Sequence, residues 1–247
     1  MNSRRLALVV SLTVALLVTA VAVAEPVHML DADVTPAKPG TKKNPTNVEL
    51  ALSLRTANDR AGEAPPVTTR IELFLPSELV LGAKSFRGCK PAVLNDGNDA
   101  TRCKSKSLVG NGRATFAGQT PVGPMEQDAE VTVYNGPSGR SIVFHFRSTG
   151  ALPIDRAVAG RLAKARGNGY GRKIVIRIPE ELRGAGGQQI GLAELHAEVK
   201  ASRKRRGKTV PYIGLGRCRQ GELSFRSVVY LTGGGPKRTD QVGVGCD

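Results

Sequence analysis

The sequence has no tryptophan, only four tyrosines and six phenylalanines, three histidines, and 21 acidic side chains against 36 basic ones. Each shortage narrows what the protein can do. With most Phe at inward-reading strand positions, too few aromatic rings remain for a sugar-stacking platform or for bases interleaved with cations, so no specific nucleic-acid recognition is expected. No Gly-x-Ser-x-Gly elbow and no Ser-x-x-Lys is present to mark an activated nucleophile. Short Cys-x-x-Cys spacings are missing, which argues against a structural zinc site. The pairs Gly110-x-Gly112 and Gly167-x-Gly169 do not continue as nucleotide fingerprints. Glycine does not recur at every third position, so the chain is no collagen, and its Val, Ile and Leu content is too high for a disordered chain.

What is present begins with an export signature. Arg4 and Arg5 precede an apolar run from Leu6 to Ala24 that closes on Ala22-Val23-Ala24 before Glu25-Pro26. A charged start, an apolar stretch and a small-x-small site predict a signal peptide over 1–24, cleaved after Ala24; an uncleaved anchor is the alternative. Ser3-Arg4-Arg5 also hints at a twin-arginine leader, but the strongly apolar run favours the general secretory route. No second run of 18 apolar residues follows, so no transmembrane span is expected in the mature chain. Removing the leader takes away two Arg and no acid, leaving 34 basic and 21 acidic side chains and a net charge of +13. Such a surface attracts polyanions without choosing among them. The expected location is secreted, or on the extracellular cell surface.

Cys89, Cys103, Cys218 and Cys246 all lie in the exported part, and an even number in an oxidising compartment reads as two disulfides. Three pairings are possible. The expected one is Cys89 with Cys103 and Cys218 with Cys246, because each pair sits in one local stretch bounded by turn residues. Chain entropy makes each worth about 3 to 3.5 kcal/mol.

Apolar and polar residues alternate strictly along much of the chain, as they do in strands with one buried face. Val48, Leu50, Leu52 and Leu54 alternate with Glu49, Ala51, Ser53 and Arg55. The same pattern holds at Ile71, Leu73 and Leu75, at Val131 and Val133, at Ile142, Phe144 and Phe146, and at Ile174, Ile176 and Ile178. Another strand is expected within 221–231. Residues 155–166 and 192–201 admit helix or strand; in the second, five alternating positions from Ala193 to Ala201 outweigh three at helical spacing. The expected fold is an all-β, antiparallel β-sandwich, Ig-like or jelly-roll-like, of about ten strands with little helix. The domain plan is a flexible lead-in over 25–44 and a single domain over 45–247, with 150–153 as a possible lobe break. A loop-rich stretch at 83–112 carries the first disulfide.

Gly40-Thr41-Lys42-Lys43-Asn44-Pro45, Phe86-Arg87-Gly88-Cys89, Cys103 followed by Ser107-Leu108-Val109-Gly110-Asn111-Gly112, Val133-Tyr134-Asn135-Gly136, and Tyr212-Ile213 ahead of Cys218 resemble a family of secreted actinobacterial β-rich proteins with no known activity. The resemblance covers most of the mature chain and implies export and one β-rich unit. It brings no cofactor and no catalytic residue. Members often carry Cys-Pro where this chain has Cys103-Lys104.

Among candidate sites, Arg203-Lys204-Arg205-Arg206-Gly207-Lys208 is the most distinctive, five cations at an expected hairpin tip. Arg203, Lys204, Arg205, Arg206 and Lys208 are the expected anion contacts, for anionic cell-envelope polymer or lipid headgroups; the competing reading is a solvated loop that keeps the hairpin soluble. Glu194, His196 and Glu198 share a strand face and would bind a divalent metal if His145 joined them, or else form cross-strand ion pairs. Asn95, Asp96, Asn98 and Asp99 offer oxygen ligands for calcium but lack EF-hand spacing. His28 lies too near the new N-terminus to promise a rigid base. Glu180 and Glu181 after Pro179 read as a short helical turn. Paired carboxylates of a hydrolase cannot be placed from the sequence. The expected function is therefore a non-catalytic binding or structural role without a cofactor. A secreted hydrolase with carboxylates assembled only in the fold is the alternative, and assembly through an uncovered strand edge is a third possibility.

Overall fold

The computed structural model describes residues 26–58, 63–95, 103, 105–120, 123–150, 153–165, 167, 169–185, 188–234 and 237–246. The expected leader, residues 1–24, and the candidate calcium ligands Asp96, Asn98 and Asp99 lie outside the described residues.

The alternating segments are strands. In chain order they are β1 (Pro26–Thr35), β2 (Thr46–Asn47), β3 (Glu49–Asn58), β4 (Thr68–Pro76) and β5 (Leu79–Leu81), followed by the short helix α1 (Pro91–Asn95). Then come β6 (Leu108–Thr120), β7 (Gly123–Asn135), β8 (Ser141–Ser148), β9 (Ile154–Lys164), β10 (Tyr170–Arg177), β11 (Gly184–Ala185) and β12 (Gln188–Val199). The last are β13 (Ser202–Arg205), β14 (Lys208–Pro211), β15 (Ile213–Leu215), β16 (Glu222–Leu231) and β17 (Arg238–Gly245). Both ambiguous segments are strands, β9 and β12. Glu180 and Glu181 open a single 3₁₀ turn.

One antiparallel sheet runs in the order β1-β3-β12-β6-β7-β8-β9-β10-β4-β16-β17. Right-handed twist accumulated over so many strands curls the sheet until its ends meet. At the seam β1 lies beside β17, and the Leu30 amide donates to Asp240 Oδ2 at 2.7 Å. The expected all-β antiparallel fold with little helix is thus realised around one large, nearly closed sheet, with the small sheets β13-β14 and β2-β15-β5 beside it. The two edge strands of the main sheet, β1 and β17, lie side by side. β8 and β9, on either side of residues 149–153, pair with each other over eight positions.

Inward positions carry the core: Leu50, Leu73, Leu75, Phe116, Val131, Val133, Phe146 and Phe225 are all buried. Each such side chain contributes roughly 1.5–3 kcal/mol of transfer free energy. The interior packs nearly to completion, leaving an apolar void of about 40 Å³ among residues such as Leu50, Leu73, Phe144 and Ile176. Small-molecule pockets need about 300–1,000 Å³, so this is a packed core.

Two expectations fail for local reasons. The N-terminal lead-in is largely a strand: Pro26–Thr35 pairs with β3 at ten successive positions, and His28, Leu30 and Val34 face inward. Its outward face carries exposed Val27 and Met29, which hides the alternation. The loop-rich stretch ends early, because β6 starts at Leu108. Gly110 and Gly112 break the apolar pattern there, and a side chain at either would collide with the backbone carbonyls of Glu198 or His196 on β12. Glycine permits the close approach of two backbones.

Cys89–Cys103 and Cys218–Cys246 are the disulfides, as expected. The first packs with α1 over the outer face of β7, β8 and β9, covering Tyr134, Val143 and Ala157. Asn95 Oδ1 fixes that cap by accepting from the Ala157 amide at 2.7 Å. No helix among the described residues is long and apolar enough to cross a membrane.

Candidate anion-binding site

After β12 the chain leaves the main sheet as the hairpin β13–β14, paired from Ser202 opposite Pro211 to Arg205 opposite Lys208. Arg206 and Gly207 alone make the turn, at φ of 49° and 75°. Two consecutive left-handed residues define the tight turn whose twist matches that of paired strands. The expected hairpin tip is therefore present, and its short turn fixes the flanking cations.

Lys204, Arg205, Arg206 and Lys208 are exposed. Arg203 is different: it is partly buried at the hairpin base, donates to the Ser85 carbonyl, and holds its guanidinium 5.9 Å above the Phe86 ring. Four cations are presented at the tip, and the fifth pins the hairpin to the body. Phe86 in turn meets Tyr212 edge-on, with centroids 5.0 Å apart. Tyr212 donates to Asn135 Oδ1 at 3.1 Å, and the Asn135 amide donates to the carbonyls of Ala83, Phe86 and Arg87. Burial pushes the Tyr212 phenol far above its ordinary range, so it stays a neutral donor.

A cleft of about 380 Å³ opens between the hairpin base and residues 105–108, lined by Lys106, Arg203, Lys204, Ser105, Ser202, Phe86 and the exposed Leu108. Three cations and two hydroxyls converge there. No acidic side chain among the described residues forms an ion pair with any of the five hairpin cations; the pairs nearby in sequence join Lys200 to Glu49 and Glu198. Lys and Arg clustered on a projecting hairpin without such pairs concentrate positive potential. Sequence reasoning missed Lys106, Leu108 and Phe86, because chain separation conceals their proximity to Arg203.

The metal arrangement around His145 and His196 is not assembled. β12 and β8 are three strand spacings apart in the sheet, about 14 Å at 4.7–4.9 Å per spacing, too far for shared ligation. His196 instead makes a cross-strand hydrogen bond with Ser53 Oγ of β3 at 2.8 Å and a contact along its own strand with Glu198 at 3.2 Å. His145 is buried beneath the α1 cap, with Nε2 2.6 Å from Asp155 Oδ1. No group of three His, Cys, Asp or Glu among the described residues is placed to hold a metal ion. His28 corrects the expectation of a loose base: it is buried on β1, bonds Ser227 Oγ at 2.6 Å, and has its pKa lowered by burial. Ser227 is fully enclosed and out of a substrate's reach, so this Ser–His contact is structural.

No family model, curated protein or solved structure matches the chain.

A second concavity, of about 770 Å³, lies on the outer face of β6, β7, β8 and β12 and contains Asp128, Glu130 and Glu194. Asp128 and Glu194 face each other across Thr115, whose hydroxyl donates to Asp128 at 2.8 Å. Arg113 and Arg147 stand opposite Glu130 on the flanking strands. The acids of this groove come from β7 and β12, which only the sheet order brings together.

Proposed function

We propose that this is an exported, non-catalytic β-protein that binds anionic cell-envelope polymer, or the headgroups of anionic lipids, through the β13–β14 hairpin. The observation that carries this reading is the set of exposed, unpaired cations held on a two-residue turn, with Arg203 locking the base. Binding by point charges and guanidinium forks is electrostatic and falls steeply with salt. The two disulfides fit an oxidising compartment. The test is retention of the mature protein on isolated envelopes across a salt series, beside a variant with Arg203, Lys204, Arg205, Arg206 and Lys208 changed to Ser. Salt-sensitive retention that the variant loses supports the reading, and equal retention of both proteins sinks it.

A second reading, a hydrolase, is favoured by one observation, the placement of Asp128 and Glu194 in a groove. It requires turnover of an envelope polymer that is abolished in both Asp128→Asn and Glu194→Gln.

A further inference from the structure

On the outer face of β10, β4 and β16, remote from the hairpin in the strand order, Phe74 and Tyr170 pack with centroids 5.5 Å apart. Phe74 is the exception among phenylalanines that otherwise lie in the main core. Three cations cover this patch. Arg70 lies 4.3 Å above the Tyr230 ring and bonds Glu72, and Lys173 reaches the other Glu72 oxygen at 2.9 Å. Those two cations share one buried carboxylate. Arg226 has none: its guanidinium sits 4.0 Å over Phe74 and 5.1 Å from the Tyr170 centroid, with no ion pair among the described residues. Its Nε is buried without a partner.

Donors collect beside it. Ser224, two residues back on the same face of β16, accepts from Gln241 Nε2 at 2.9 Å, which leaves the Ser224 hydrogen for another acceptor. The Tyr170 hydroxyl is 3.4 Å from Ser224 Oγ. Glu222, next along this face, lies against Gly243, where a missing side chain gives it room, and makes no ion pair with Arg226. We infer that Arg226, Ser224 and Tyr170 form a binding site for a phosphate-type oxyanion. Contact with two rings restricts the guanidinium before the ligand arrives, so its fork is offered at reduced entropic cost. The fork takes two oxygens and leaves the Ser224 and Tyr170 hydroxyls a third, which a phosphate has and a carboxylate lacks. The site uses none of the hairpin residues and goes beyond the function proposed above.

The test is NMR titration of the mature protein with inorganic phosphate, following Arg226 Nε–H and the Gln241 side-chain amide, with acetate as the planar competitor and glycerol 3-phosphate as the esterified source. Saturable shifts in the millimolar range are expected for both phosphates, with acetate at least about ten-fold weaker. Arg226→Lys keeps the charge and ring cover but loses the fork, and is expected to weaken phosphate at least about ten-fold at unchanged melting temperature. Ser224→Ala provides a milder loss should Arg226→Lys perturb folding. The five-Ser hairpin variant is expected to bind phosphate like the wild type. No saturable shift, equal affinity for acetate, unchanged affinity in both Arg226→Lys and Ser224→Ala, or loss in the hairpin variant would each overturn the assignment.

Discussion

Tyr212 and Asn135 are joined by a 3.1 Å hydrogen bond between two fully enclosed side chains, 77 residues apart in sequence. Through this contact the segment carrying Phe86, the end of β7 and the return from the basic hairpin become one closure over the end of the sheet. Asn135 also receives the Cys89 amide on its own carbonyl at 2.8 Å, so the first disulfide hangs from the same residue. Removing Asn135 leaves several buried carbonyls and the Tyr212 hydroxyl without partners. Asn135→Ala is expected to cost about 3 kcal/mol or more, and Tyr212→Phe about 1–2 kcal/mol, because the latter strands one acceptor. Urea unfolding of the two variants checks this ranking, and equal losses would show that the amide is not the hub.

Stability should rise with pH where His28 titrates. Burial holds its pKa below the ordinary 6.5, while Asp240 and a backbone bond at Arg55 oppose that shift only in part. Below 6.5 the unfolded chain therefore binds a proton that the folded chain refuses, and unfolding gains as pH falls toward the depressed folded value. His28→Gln removes this contribution. Chemical unfolding at several pH values below about 6.5 should give a shallower dependence for the variant; an identical slope would place the acid sensitivity elsewhere.

The two disulfides close loops with sequence separations of 14 and 28. Replacing Cys89 and Cys103 by Ala should cost about 3 kcal/mol and replacing Cys218 and Cys246 about 3.5 kcal/mol on chain-entropy grounds. The first pair also holds the cap over Tyr134, Val143 and Ala157, so its loss should additionally expose the β8 and β9 amides to hydrogen exchange. Exchange mass spectrometry of both double variants separates the two effects.

Gly207 has a φ of 75° at the hairpin turn. Gly207→Val should strain the turn by about 1–2 kcal/mol, loosening β13 and β14 while the global unfolding midpoint barely moves, because the hairpin is a separate two-stranded sheet. Faster amide exchange confined to 202–211 is the expected signature. A matching drop in global stability would mean that the hairpin supports the main sheet.

Much of the fold was legible because strand periodicity is a local property. Leu50, Leu52 and Leu54, or Ile142, Phe144 and Phe146, announce a buried face by spacing alone, and each disulfide joins cysteines close in the chain. β1 and β6 were not legible. Exposed Val27 and Met29 spoil the alternation of β1, and the glycines of β6 answer to a neighbouring backbone that the sequence does not place. The hairpin was readable for the same local reason as the strands: a dense run of cations around a single glycine between alternating segments.

The sequence by itself determined most of the strands and their inward faces, the cysteine pairs and the basic turn, since each depends on residues close to one another along the chain. Only the tertiary structure decided that the sheet curls until β1 meets β17, that His145 and His196 stand three strand spacings apart, and that Arg203 is a pin where its neighbours are free. It also decided that Arg226 rests on Phe74 and Tyr170 with no ion pair among the described residues. These relationships are set by strand order and accumulated twist, and those follow from how all the faces are buried together.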